Sequence, residues 1–169
     1  MTMNPIRIFV VAALASLMAG CAHFGGVAPG TSSEQLRARA GPPAGVWKNA
    51  DGSETWEYRY GPTGWTTYMV DLGPDHAVRA VHQVLSEEYF AKIAPGMSRE
   101  AVRRLLGEPK EVARYSGQNE EVWSWRFREQ NNWYRLFNVH FDQSTGAVLR
   151  VSRMDDPYIY DKGGKGKGG

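Results

Sequence analysis

The chain has 169 residues, with 20 basic and 18 acidic side chains and a formal net charge of +2. This near balance argues against nucleic acid as a partner, because proteins that bind the phosphate backbone concentrate positive charge. The single cysteine of the sequence excludes an internal disulfide and a multi-thiolate metal site, so packing must stabilise the fold.

The N-terminal segment has the pattern of a lipoprotein signal peptide. Arg7 precedes an apolar run over residues 8–19, which is too short to anchor the chain across a bilayer. The run ends in a lipobox, Leu-Met-Ala-Gly-Cys, which predicts a signal peptide over residues 1–20 and acylation of Cys21 with palmitate-type chains. An ordinary signal peptide with an incidental cysteine is the alternative. Ala22 favours sorting to the outer membrane, with the protein on the periplasmic face.

A first structural unit is predicted over residues 28–85, after a lipidated tether over residues 21–27. The sequence Thr-Ser-Ser-Glu-Gln at residues 31–35 fits a capping box in two registers, so we expect a helix that ends at residue 40. Aromatic and β-branched residues then alternate between turns that contain glycine and proline. This alternation predicts three antiparallel strands, near residues 54–60, 65–72 and 77–85.

A second unit is predicted over residues 86–156, beginning with a short linking helix over residues 86–93. The next helix has both ends marked, because Ser98 is an N-cap and Gly107 allows the turn that ends it. Three further strands are predicted near residues 123–128, 136–141 and 147–154. Their aromatic residues alternate with polar ones, as in an antiparallel sheet covered by helices on one face.

The two units repeat one pattern. Ala-Pro-Gly-Thr-Ser-Ser-Glu at residues 28–34 corresponds to Ala-Pro-Gly-Met-Ser-Arg-Glu at residues 94–100, and Gly-Pro-Pro at residues 41–43 corresponds to Gly-Glu-Pro at residues 107–109. The sequence therefore predicts an α+β protein of two tandem repeats, each with short N-terminal helices packed on a three-stranded antiparallel sheet.

The motifs of the second unit form a longer pattern. Lys-Ile-x-x-Gly-Met-Ser begins at residue 92, an apolar-faced helix ends in Leu-Gly-x-Pro, and an aromatic strand and a Phe-Asp strand precede a glycine turn. This pattern resembles the BamE (SmpA/OmlA) outer-membrane lipoprotein family over residues 86–155, with a degraded copy over residues 28–85. The duplicated arrangement is more distantly similar to secreted beta-lactamase inhibitor proteins. The BamE resemblance implies an accessory subunit that binds the barrel-assembly machinery or supports envelope integrity.

Neither a catalytic nor a cofactor-binding pattern is found in the sequence. The histidines at positions 23, 76, 82 and 140 lack metal-binding spacing, and neither a Gly-x-Ser-x-Gly elbow nor a phosphate-binding loop is present. We therefore expect a protein that is not an enzyme and that uses no metal or cofactor. Its expected partners are the membrane, through the lipid, and a protein of the envelope. The alternatives are a periplasmic enzyme inhibitor and a structural envelope lipoprotein.

Two groups of residues are candidates for partner binding. Trp65, Trp133 and Tyr134 lie beside turns, where exposed aromatic side chains can anchor an interface. Alternation also places a mixed set of side chains on the open face of the second sheet: Arg126, Arg128, Tyr134, Leu136, Asn138 and His140. A packed aromatic core and a solvated sheet face are the respective alternatives. Residues 157–169 are expected to form a disordered Gly/Lys tail.

Overall fold

Two sheet units follow one another along the chain. The computed structural model describes residues 24–60, 64–129 and 133–160, so the predicted signal peptide, Cys21 and the end of the Gly/Lys tail lie outside the described residues. Each unit contains a four-stranded antiparallel sheet whose strands lie side by side in sequence order. The predicted α+β class with two successive units is confirmed. The predicted strand number is wrong, because each sheet has four strands and not three.

The first unit is organised around one capped helix. Ser32 accepts from the backbone N–H of Gln35, whose side chain in turn accepts from the N–H of Ser32, so the predicted capping box is present. Leu36 of this helix is fully buried against the aromatic face of the sheet, where the core includes Trp56 and Tyr58. The elements are helix α1 (Ser33–Ala40) and strands β1 (Gly45–Lys48), β2 (Glu54–Tyr60), β3 (Thr66–Leu72) and β4 (Val78–Gln83).

The second unit repeats this order with a larger core. Ser98 accepts from the N–H of Ala101 at the start of the main helix. Val102 and Leu106 of that helix are fully buried on the sheet, whereas Leu105 is only partly buried. The elements are helices α2 (Glu87–Phe90) and α3 (Arg99–Leu106) and strands β5 (Glu111–Tyr115), β6 (Glu120–Arg128), β7 (Tyr134–Asp142) and β8 (Val148–Asp155).

The additional strands β1 and β5 are short edge strands. Strand β1 has four residues and pairs only with β2, and β5 has five residues and pairs only with β6. Neither has a fully buried residue, so neither has the apolar alternation by which a strand is recognised in sequence. Their formation depends on the free backbone groups of the neighbouring strand.

The helices and sheets form successive layers. Helix α1 packs on one face of the first sheet. On the opposite face, the ring of Tyr89 in α2 lies 6.0 Å from that of His82, and Arg103 of α3 contacts Glu57 of β2. Helices α2 and α3 also pack in the core of the second sheet. The order of layers is therefore α1, first sheet, α2 with α3, second sheet.

Both ends of the described chain pack on the sheets. Phe24, in the predicted tether, lies in a helical turn and stacks on Tyr68 with ring centroids 4.5 Å apart. The predicted disordered tail is helical at its start, in helix α4 (Pro157–Tyr160), where the fully buried Asp156 accepts from the N–H of Tyr158. Among the described residues, none of the helices has the length and apolar character needed to cross a bilayer.

Candidate protein-binding face

The sheet of the second unit has one face turned away from α2 and α3, which we call the outer face. Residues paired directly across adjacent antiparallel strands share a face. The pairings Val122 with His140, Ser124 with Asn138, and Arg126 with Leu136 therefore define it. Two further predicted site residues, Arg128 and Tyr134, pair at its end. The face is completed by residues of the two edge strands: Glu111, Ala113, Tyr115, Arg150, Ser152 and Met154.

Arg126 is held inside the fold. Its Nε lies 2.7 Å from a carboxylate oxygen of Asp156, and its side chain is 12% exposed. Its guanidinium group also lies over the ring of Tyr158, 4.8 Å from the centroid. The sequence pattern predicts the correct face for Arg126 and a contact with a partner protein, whereas in the structure Arg126 contacts Asp156 and Tyr158 and holds the C-terminal turn α4.

His140 belongs to a polar network that crosses three strands. Its Nδ1 lies 2.9 Å from Glu120 and its Nε2 lies 2.9 Å from the Ser152 hydroxyl. The hydrogen bond from His140 lowers the pKa of Glu120, and the Arg150 guanidinium, 3.0 Å from the same carboxylate, acts in the same direction. The network therefore neutralises its own charges on the outer face.

The order of groups in this network, carboxylate, imidazole and hydroxyl, is also that of a nucleophilic triad. A triad histidine must accept the serine proton at Nε2 and become a cation. Here Nη1 of Arg150 lies 3.1 Å from the same Nε2, so a positive charge already faces that nitrogen. A guanidinium can only donate, so this contact engages the Nε2 lone pair that a triad would need for the serine proton, and we interpret the network as structural.

The remaining predicted anchors differ in their surroundings. The rings of Trp65 and Tyr134 lie 4.4 Å apart, so these two aromatic side chains contact each other across the two units. Trp133 is half exposed. Arg128 borders an open cleft of about 760 Å³ at the end of β6, with Leu85 and Phe127 among the other lining residues. Within the described ranges, no three His, Cys, Asp or Glu side chains converge as metal ligands.

The outer face has a mixed apolar and aromatic surface. Val122 and Leu136 are buried near its centre, and Met154 and Tyr115 are about half exposed at its two edges. Tyrosine and methionine are enriched in protein–protein interfaces, and such interfaces have few charged residues at their centre. Tyr115 is absent from the predicted site residues because β5, with the sequence Glu-Val-Ala-Arg-Tyr, lacks the apolar alternation by which a strand is recognised.

The corresponding face of the first sheet is occupied by the end of α3. Glu57 is fully buried there and accepts from Nη1 of Arg103 at 2.6 Å and from the backbone N–H of Glu108 at 2.9 Å. Gly107 ends α3 with φ of +78°, and a Cβ on it would lie 2.8 Å from Glu57 and 2.9 Å from Thr67. This junction therefore requires glycine at the end of the helix.

The geometry defines a two-unit α+β protein whose outer face is covered in part, by Asp156 and Tyr158 at Arg126 and by Trp65 at Tyr134. Residues 83–148 match the family model described as the outer membrane protein assembly factor BamE domain. This match covers most of the second unit and confirms the resemblance found in the sequence. A comparison of the chain with curated proteins gave no match.

Several solved structures are similar to the chain at low identity. The osmotically inducible lipoprotein OsmE is 21% identical over 47% of this chain and 91% of its own, with a TM-score of 0.37. A protein described as a beta-lactamase inhibitor from Streptococcus mutans is 18% identical over 90% of this chain and 99% of its own, with a TM-score of 0.31. The DUF4309 protein YjgB from Bacillus subtilis is 10% identical over 74% of this chain and 78% of its own, with a TM-score of 0.29.

Proposed function

We propose that this protein is an outer-membrane lipoprotein that acts as an accessory binding subunit in β-barrel assembly or envelope integrity. The observation that carries this proposal is the match of residues 83–148 to the BamE domain model. Acylated Cys21 anchors the chain on the periplasmic face of the membrane. The protein partner belongs to the envelope and binds the outer face of the second sheet.

The arrangement of layers supports this choice of surface. Phe24, three residues after the anchor, packs on Tyr68 on the α1 side of the first sheet. The outer face lies beyond the first sheet, helices α2 and α3, and the second sheet. A lipid at Cys21 therefore leaves the outer face on the far side of the protein from its attachment point, where a periplasmic partner can reach it.

The charge distribution on the outer face supports a protein partner. Glu120 is paired with His140 and Arg150, and Arg126 is paired with Asp156. When a partner covers a charged group, the free energy of removing it from water is smaller if the group is already paired with an opposite charge. The same surface presents Tyr115 and Met154 at its edges, which gives an incoming protein apolar area to bury.

A pull-down of the lipoprotein from its own envelope in mild detergent tests this proposal. Ser124 is partly exposed near the centre of the outer face, so Ser124→Arg should obstruct the face without removing a buried contact. Ser116→Arg places the same side chain at an exposed position in the turn before β6 and is the matched control. We expect subunits of the barrel-assembly machinery to be recovered with the wild type and the control, and lost with Ser124→Arg.

The other outcomes contradict the proposal in different ways. Equal recovery with both variants would show that the partner does not use the outer face. Recovery of a secreted hydrolase in place of assembly subunits would favour the inhibitor alternative. Recovery of no protein would favour a structural lipoprotein.

A further inference from the structure

The first sheet shows what a sheet face in this fold can bind. Its face opposite α1 receives the C-terminal end of α3, through Glu57 and through the close approach of Gly107. Arg103 also lies over the ring of Trp47, 5.1 Å from its centroid. The occupant is therefore a helix end, held by Arg103 in its last turn and by the backbone N–H of Glu108, two residues after the helix.

The outer face is the same face of the second sheet. In both units the indole of a tryptophan on the second strand of the sheet donates at 2.8 Å to a glutamate two residues earlier, Trp56 to Glu54 and Trp123 to Glu121. Both sheets also have an irregularity in register between their third and fourth strands. This correspondence places Ser124 where the first sheet has Glu57.

The end of α1 in a second copy of this chain does not fit the outer face in the way that α3 fits the first sheet. In the first unit, Pro42 stands at the position of Glu108 and has no backbone N–H to donate. Arg37, at the position of Arg103, already lies over the ring of Trp56, 4.5 Å from its centroid. The end of α1 therefore cannot repeat on another copy the contacts that α3 makes at the junction.

We infer that the outer face binds the C-terminal end of an α-helix of a partner protein, in the way the first sheet binds α3. This inference rests on the proposed function. Ser124 offers a neutral hydroxyl where Glu57 offers a carboxylate, so the partner helix does not need an arginine in its last turn. Leu136, which stands where the first sheet has Thr67, is already buried within this chain. Close approach to the strands requires glycine after the helix, as at Gly107.

Site-specific photo-crosslinking tests the inference. Benzoylphenylalanine is placed at position 124 in the full-length lipoprotein, and at position 116 as the control, in cells that produce the protein. The crosslinked peptide is identified by mass spectrometry and located in the structure of the protein to which it belongs. We expect benzoylphenylalanine at position 124 to form a crosslink to the last turn of a helix that ends in glycine. The same residue at position 116 should give no such crosslink.

The results separate this inference from the proposed function. A crosslink from position 124 to a strand, to a loop or to the middle of a helix would overturn the inference and leave the proposed binding face intact. Loss of every protein crosslink at position 124 would overturn both. A crosslink to a second copy of this chain would overturn the inference, because the end of α1 lacks the required N–H.

Discussion

Glu57 is a fully buried carboxylate between the two units, and its surroundings explain why an acid is needed there. Arg103 and the N–H of Glu108 donate to it, and Nε of Arg59 lies 3.7 Å away. Removing one partner of a buried ion pair leaves the other charge uncompensated. We expect Glu57→Gln to lower the free energy of unfolding by about 3 kcal/mol, measured by urea denaturation.

The matched control for this substitution is Glu34→Gln, at an exposed position in α1. Surface substitutions of this kind change stability by no more than about 0.5 kcal/mol. An effect of Glu57→Gln as small as that of the control would show that the junction does not depend on the carboxylate.

Glu121 links the start of α3 to the second sheet and makes stability depend on pH. Burial alone would raise the pKa of Glu121, but the hydrogen bond from Trp123 and the guanidinium groups of Arg114 and Arg99 outweigh it and hold the pKa below 4.5. Because the pKa is lower in the folded state, this contribution to stability is complete above about pH 5 and is lost as the pH falls through the folded value.

The corresponding measurement compares the wild type with Glu121→Gln. We expect the difference in free energy of unfolding to be largest at neutral pH and to shrink as the pH falls below about 4.5. Glu111→Gln, at an exposed position of β5, is the control and should leave the profile unchanged. A difference that stays constant across this range would contradict the role given to the ionised carboxylate.

At the scale of elements, the two main helices end in glycines of the same conformation but different surroundings. Gly41 and Gly107 have φ of +79° and +78°, and a Cβ on Gly41 would have no neighbouring atom within 4 Å. Their ψ angles are −171° and −168°, a backbone region essentially restricted to glycine, so alanine should cost about 1–3 kcal/mol at either position from strain. At Gly107 we expect a further loss of about 1–3 kcal/mol, because the Cβ would collide with Glu57 and Thr67.

Urea denaturation of the two alanine variants measures this difference directly. The backbone strain is common to both variants. The loss of unfolding free energy in Gly41→Ala can therefore be subtracted from the loss in Gly107→Ala, which leaves the contribution of the collision with the first sheet. Equal losses of stability in the two variants would mean that α3 does not press against the first sheet.

The elements with strong local signals could be predicted from the sequence. The capped helices and strands β2, β3 and β4 lie close to their predicted ranges. The same alternation placed Arg126, Leu136 and His140 on one face. These features depend on residues near one another in the chain, so local pattern is sufficient.

The features that the sequence did not reveal depend on distant partners. Strands β1 and β5 form only because a neighbouring strand offers free backbone groups. Arg126 is withdrawn from the surface by Asp156, thirty residues further along the chain. Glu57 follows the alternation as an outward residue, and only the docking of α3 makes it buried.

At the scale of the whole molecule, we propose that a lipid on Cys21 tethers the chain to the membrane. Replacing Cys21 by Ser removes the thiol that would carry the lipid. We expect this variant to fractionate as a soluble periplasmic protein, whereas the wild type needs detergent for release from membranes. A variant that still needs detergent would show that the chain is not attached through Cys21.

The central claim is that the outer face binds a protein partner, and a titration with the purified partner tests it most directly. With the partner recovered from the envelope, Ser124→Arg should weaken binding by about 100-fold or more, equivalent to about 2.7 kcal/mol. Ser116→Arg should bind like the wild type, and all three proteins should have equal unfolding free energies. Unchanged affinity of Ser124→Arg at equal stability would contradict the claim and place the partner elsewhere on the molecule.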